Sequence, residues 1–227
     1  MRSRKGIVGI EAAIVMIAFV IVAAALAFVA LNMGLTATQK TKEAVSSSLG
    51  EAGSALMVDG DVVANVTKTK TVDAIVIPIR PSSGKYPIDL DPDRAAISLL
   101  VSDNYYPDVY LSSFNYTSGN TTATFKAIET VNTTTSIDLT TYLSDVKAAS
   151  AAKGGSPLAK VIIVSNDKDT VLEYGEKALV IVYLGNNAAG PYDYIKVEIK
   201  PPEGAPLVVE RVVPPSLPAE GGLFSLG

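Results

Sequence analysis

From Ala12 to Leu31 the chain runs for 20 residues without one polar or charged side chain, and the uncharged stretch continues to Gln39. As an α-helix, which rises about 1.5 Å per residue, such a run spans roughly 30 Å, the thickness of a bilayer's hydrocarbon core. A helix that is apolar on every face has to be covered all round, by lipid or by other helices. Eight of the 20 residues are Ala. Small side chains let helix backbones approach closely, which suits packing into a bundle as well as residence in lipid.

In front of the run stands Met1-Arg-Ser-Arg-Lys-Gly6, with three positive side chains in six residues. A short basic flank stays in the cytoplasm and directs the remainder of the chain outward. Three fates fit this layout. Cleavage as a secretory signal has a candidate at Ala25-Leu26-Ala27. Against it, Phe28-Val29-Ala30-Leu31 keeps the run apolar beyond that point, past the usual signal core of about 7–15 residues. Permanent anchoring as a single span is the second fate, and cleavage at the junction in front of the helix is the third.

The junction itself, Arg4-Lys5-Gly6 followed by Ile7-Val8-Gly9-Ile10-Glu11 and the alanine-rich run, resembles the class III signal of type IV pilins and archaeal flagellins (archaellins). The resemblance implies that a prepilin-type signal peptidase cuts between Gly6 and Ile7 and leaves the helix in the mature subunit. Ile7 then becomes the N-terminus, Gly9 the third residue and Glu11 the fifth. Gly at the third position is usual in archaellins and Glu at the fifth in type IV pilins, and this chain carries both marks. A carboxylate at the edge of an apolar run is costly unless paired. The resemblance implies that Glu11 neutralises the N-terminal amine of a neighbouring subunit during assembly; facing lipid headgroups is the other reading.

Beyond Leu35 the pattern becomes polar, with Val45, Leu49, Ala52 and Leu56 at spacings of 4, 3 and 4. One apolar stripe on a polar helix marks an element covered on one side only. The spacing predicts a helix from Ile7 to about Met57, with Gly34, Gly50 and Gly53 as places where it could bend. From about Asp61 the chain reads as strands: 74–79, 96–101, 123–128, 159–164, 178–184, 194–199 and 207–212. These runs are β-branched or alternating and are separated by Gly, Pro, Asn and Asp clusters. About seven short strands of this kind predict an immunoglobulin-like antiparallel β-sandwich. The fold class is therefore α+β: a leader at 1–6, a filament-core helix at 7–58 and an outer β-sandwich at 59–227.

Composition narrows the chemistry. The chain has no Cys and no His, so disulfides, thiolate or imidazole metal sites and His-based catalysis are excluded. A net charge of −4 argues against nucleic acid as a partner, because phosphate contacts need clustered Lys and Arg. Removal of Arg2, Arg4 and Lys5 takes that charge to −4 − 3 = −7. No pairing of acids with a nucleophile suggests an enzyme, and no cofactor is expected. Asp89, Asp91 and Asp93 have an alternate spacing that can present oxygen ligands to a metal, and Asn166-Asp-Lys-Asp169 forms a second acidic turn. Asp-rich turns also arise because Asp bonds its own backbone. Four Asn-X-Thr triplets begin at Asn65, Asn115, Asn120 and Asn132 and are candidate glycan acceptors. Three of them sit between Ser112 and Thr141, where 14 of 30 residues are Ser or Thr, the composition of a solvent-facing surface.

A second stretch, Ser165 to Leu184 continuing through Ile195 to Leu207, is similar to the C-terminal part of archaellins. The resemblance implies a structural subunit of the archaellum filament, held in the membrane before assembly and displayed outside the cell afterwards. Its implied partners are further copies of itself in an open helical polymer, related archaellins, the peptidase, and a membrane motor with its assembly platform. Glu11 keeps a type IV adhesion pilin as the alternative, and a membrane-anchored extracellular binding domain or enzyme as a second.

Overall fold

The computed structural model describes residues 5–53, 55–82, 86–118, 121–133, 136–165, 167, 169–218 and 222–226. Two units divide the chain, Met1–Leu49 and Gly50–Gly227.

The first unit consists of one helix, α1, whose full span is Lys5–Gly53. The expected extension to Met57 is not made: Gly53 is its last residue, and Leu56 already belongs to a strand. Gly carries the weakest helix propensity after Pro, and two Gly within the last turn lower the cost of stopping there. Gly34 does not interrupt it. The three Thr in the middle donate their hydroxyls to the carbonyls four residues back, Thr36 to Asn32, Thr38 to Gly34 and Thr41 to Ala37, at 2.8–2.9 Å. Each hydroxyl is thus satisfied within its own helix and needs no partner from a neighbour.

The second unit opens with β1 (Leu56–Val58), β2 (Val63–Val66), β3 (Val72–Pro81), β4 (Ile88–Asp89) and β5 (Ala96–Val101). Next come β6 (Asn104–Tyr106), β7 (Phe114–Ser118), β8 (Thr121–Phe125), β9 (Ile128–Val131) and the helix α2 (Leu139–Ala152). The chain finishes with β10 (Leu158–Val164), β11 (Val171–Leu172), β12 (Lys177–Tyr183), β13 (Tyr194–Lys200), β14 (Leu207–Val212) and β15 (Gly222–Ser225). The large sheet has the order β15-β2-β3-β12-β10-β9, with β1 also paired to β3, and a second sheet has the order β14-β13-β5-β6. Two short ribbons, β4 with β11 and β7 with β8, complete the set.

Both sheets feed one hydrophobic cluster. In β13 the burial alternates strictly, with Ile195, Val197 and Ile199 inside and Lys196, Glu198 and Lys200 on the solvent side, as one face on a core requires. In β10, by contrast, both faces are buried, because α2 packs over it and over β12. Six of the seven expected runs appear as β3, β5, β10, β12, β13 and β14. The run 123–128 instead breaks at Lys126–Ala127, where the chain leaves the β7–β8 hairpin and enters β9. Two details differ from a purely antiparallel sandwich. A helix, α2, lies in a stretch for which no element was expected, and β9 pairs with β10 in parallel, Val161 opposite Ile128. Adjacent parallel strands need a crossover of this kind between them, and α2 supplies it.

Candidate functional site: the apolar helix and the outer surface

The side chains of α1 described from Gly9 to Ser46 are exposed. Met16 and Phe19 are each 74% exposed and Phe28 is 71% exposed. Monomers in water do not carry so much contiguous apolar surface without a partner for it. The segment Gly9–Ser46 is long and apolar enough to cross a membrane. Gly6 and Ile7 lie in the first turns of α1, and Gly9 has open space around it, with no atom within 4 Å of where a side chain would begin. Glu11 comes next but one, exposed, and among the described residues its carboxylate has no basic partner.

The candidate glycan acceptors fall into different surroundings. Asn115 is exposed on β7, where its Oδ1 accepts from the Thr124 hydroxyl at 2.8 Å, and Asn132 is exposed just after β9. Asn120 lies outside the described residues. Asn65 sits within the large sheet, half-buried between β15 and β3. Its Nδ2, the atom a sugar would take, donates to Asp73 Oδ1 at 2.6 Å. Asp73 is itself buried and pairs with Lys147 of α2 at 3.7 Å.

The acids at 89, 91 and 93 are each occupied locally. Asp89 Oδ1 accepts from the Asp91 N–H and Asp91 Oδ1 from the Asp93 N–H, both at 2.9 Å. Asp89 Oδ2 pairs with Arg94 at 2.6 Å, and Asp93 Oδ1 accepts from Ser112 at 2.9 Å. The alternate spacing therefore builds successive Asx turns, and among the described residues no three carboxylates gather at one point. Beneath this turn Tyr110 donates its hydroxyl to the Leu90 carbonyl at 2.7 Å. Burial, followed by the charges of Asp91 and Asp89, pushes its ionisation well above the usual tyrosine range. In the second acidic turn Asn166 and Lys168 lie outside the described residues, and Asp169 Oδ1 accepts from the Val171 N–H at 3.0 Å.

A β-rich unit joined to a helix that exposes an apolar surface on all sides defines a class of protein: a subunit that completes its fold only by assembling with others or residing in lipid. The model of the archaeal-type flagellin family matches residues 6–211, and the chain belongs to that family; it is a structural, non-enzymatic subunit of the archaeal flagellum, the archaellum. It is 47% identical to "Probable flagellin 1" of Aeropyrum pernix, over 100% of both chains. To "Probable flagellin 1" of Archaeoglobus fulgidus it is 34% identical, over 96% of this chain and 94% of that one. Its fold is similar to that of the archaeal flagellum of Methanospirillum hungatei strain JF1, with a TM-score of 0.59 at 22% identity over 95% of this chain and 99% of that one. It is also similar to the crystal structure of flagellin FlaB1 from Methanocaldococcus jannaschii, with a TM-score of 0.51 at 18% identity over 76% and 96%. The family match favours the flagellin reading of the N-terminal signal over the adhesion pilin.

Proposed function

We propose that this subunit polymerises through α1 into an open helical filament, after a prepilin-type signal peptidase has cut between Gly6 and Ile7. The observation that carries the reading is the apolar surface of α1, exposed from Ile10 to Leu35. Burying one large aliphatic side chain contributes about 1.5–3 kcal/mol, so a dozen per subunit give an association term on the order of tens of kcal/mol. The same surface makes a free monomer insoluble, and the bilayer holds the precursor until assembly. The basic residues Arg2, Arg4 and Lys5 keep the leader on the cytoplasmic side, and Gly50–Gly227 faces outward. Identical subunits that meet through unlike surfaces build an open helix unless the rotation closes. Rotation by a membrane motor would then move the cell. Glu11, brought close to the new α-amine of a neighbouring Ile7, neutralises it and is favoured near the positive end of a helix. Among the described acceptors Asn115 and Asn132 have surroundings that admit a sugar, and Asn65 does not, because its amide is bound inside the sheet to Asp73.

Peptide mapping of isolated filaments by mass spectrometry tests the processing step. The first peptide is expected to begin at Ile7, and a mature chain beginning at Met1 or after Ala27 would falsify the filament reading. The same map is expected to show glycans on peptides holding Asn115 or Asn132 and an unmodified Asn65.

A further inference from the structure

Lys160 is the one buried cation among the described residues of the outer unit, a lysine on β10 with its side chain only 3% exposed. Its Nζ lies 2.8 Å from Asp145 Oδ2 on α2 and 3.2 Å from Glu129 Oε2 on β9. The rings of Tyr142 and Phe125 stand 5.1 and 5.7 Å from the same nitrogen. Asp145 has a second partner, because the Tyr116 hydroxyl donates to its Oδ1 at 3.1 Å. One carboxyl group thus has an amine at one oxygen and an O–H donor at the other, while a second carboxylate touches that amine. A simple ion pair needs one acid. This arrangement holds a nucleophile, an electrophile, a proton carrier and a donor aimed at the oxygen that would take up charge.

We propose that Lys160 and Asp145 condense into an intramolecular amide, with Glu129 relaying the proton and Tyr116 holding the carbonyl oxygen. Transfer of a proton from the ammonium to Asp145 Oδ2 gives a neutral amine beside a neutral acid. The Nζ lone pair attacks Cγ, and the electron pair of the C=O bond moves onto Oδ1, where the Tyr116 hydroxyl stabilises it. Glu129 takes a proton from Nζ and passes it to Oδ2, which leaves as water while Oδ1 re-forms the carbonyl. One C–N bond is made and one C–O bond is broken, nothing is oxidised or reduced, and Glu129 ends as it began.

The surroundings favour this direction. Reactants fixed in contact behave as if present at about 10⁵ M or more, which offsets the pull of bulk water toward hydrolysis. The Lys160 side chain is almost wholly buried, while an open groove of ≈ 760 Å³, bordered by Tyr116, Glu129, Asp145 and Lys160, gives the released molecule a way out. The product ties α2 to β10 by a bond that neither heat nor shear reverses.

The test is the intact mass of the denatured full-length chain after chemical removal of glycans, set against the sequence counted from its own processed N-terminus. Wild type is expected to be lighter by one water, and tandem fragmentation of a digest to yield one branched peptide joining residues 145 and 160. Lys160→Arg keeps a cation but cannot form this amide, and Glu129→Gln removes the proton relay; both are expected at full mass. A wild-type chain at full mass overturns the proposal, as does a water loss confined to a single linear peptide. A branched peptide persisting in Glu129→Gln overturns the role given to Glu129.

Discussion

Gly185 shows how little of a residue's reason for being there is visible in its neighbours along the chain. Its φ is +64°, and a Cβ added there would lie 2.2 Å from the Gly155 carbonyl oxygen and 2.9 Å from the Pro157 nitrogen. The Asn186 N–H donates to that same carbonyl at 2.9 Å, so the loop leaving α2 is clamped against the end of β12. Gly185→Ala is expected to destabilise the outer unit by about 2–4 kcal/mol, since a left-handed backbone and an immovable main-chain contact are violated together. Gly154→Ala, at φ +74° with open space around it, is expected to cost about 1–2 kcal/mol. Denaturant midpoints of the two variants decide it, and equal losses would show that the contact is irrelevant. In the sequence Gly-Asn-Asn announces a turn and nothing more, because the atoms it meets belong to Gly155 and Pro157, far back along the chain. Lys160 was hidden for a related reason. It reads as the polar member of an apolar strand, and its acids come from β9 and α2, which the sequence does not bring together.

Elements with a strong period were legible and short ones were not. β13 alternates over its seven residues and β5 and β14 match their expected bounds. β9 is four residues, each half-buried, and carries no period that could reveal a parallel partner. α2 left a signal that the Ser- and Thr-rich setting masked: Leu139, Leu143, Val146 and Ala149 fall on one helical face behind an Asp at the N-cap. Asp138 Oδ1 accepts from the Thr140 N–H at 3.1 Å and the Thr140 hydroxyl at 2.6 Å, and Oδ2 from the Thr141 hydroxyl at 2.9 Å. The Thr140 and Thr141 hydroxyls, followed by the Thr140 N–H, hold this carboxyl below the usual carboxylate range. A folded value below the unfolded one means that the cap's contribution is present above the unfolded value and is lost as pH falls through the folded one. Asp138→Asn keeps a capping oxygen without a titrating group. Its stability, followed by helical circular dichroism of the full chain in detergent, is therefore expected to fall less steeply than wild type as pH drops below about 4. Parallel curves would refute the assignment.

At the scale of the whole molecule, the division into a greasy helix and a β-rich remainder was legible because a 20-residue uncharged run admits so few environments. The side chains of that helix do not by themselves decide what covers it, since lipid and a bundle of like helices make the same demand on them. Glu11→Ala tests the difference. An amine buried without its counter-charge costs about 3–5 kcal/mol, so filament yield is expected to collapse while the melting of the outer unit stays at the wild-type temperature. Undiminished filaments would remove Glu11 from assembly. One pairing in the large sheet bears on the order of events before any assembly begins. β2 is bordered on one side by β3 and on the other by β15, with Ala64 opposite Phe224. β3 follows β2 directly whereas β15 comes after every other strand of the sheet, so during synthesis one edge of β2 stays open long after the other is paired. Pairings between such distant segments form slowly, and an open edge is a template for pairing with another chain. A chain whose β2 still lacks β15 therefore offers a site for joining a neighbour until the late strand pairs.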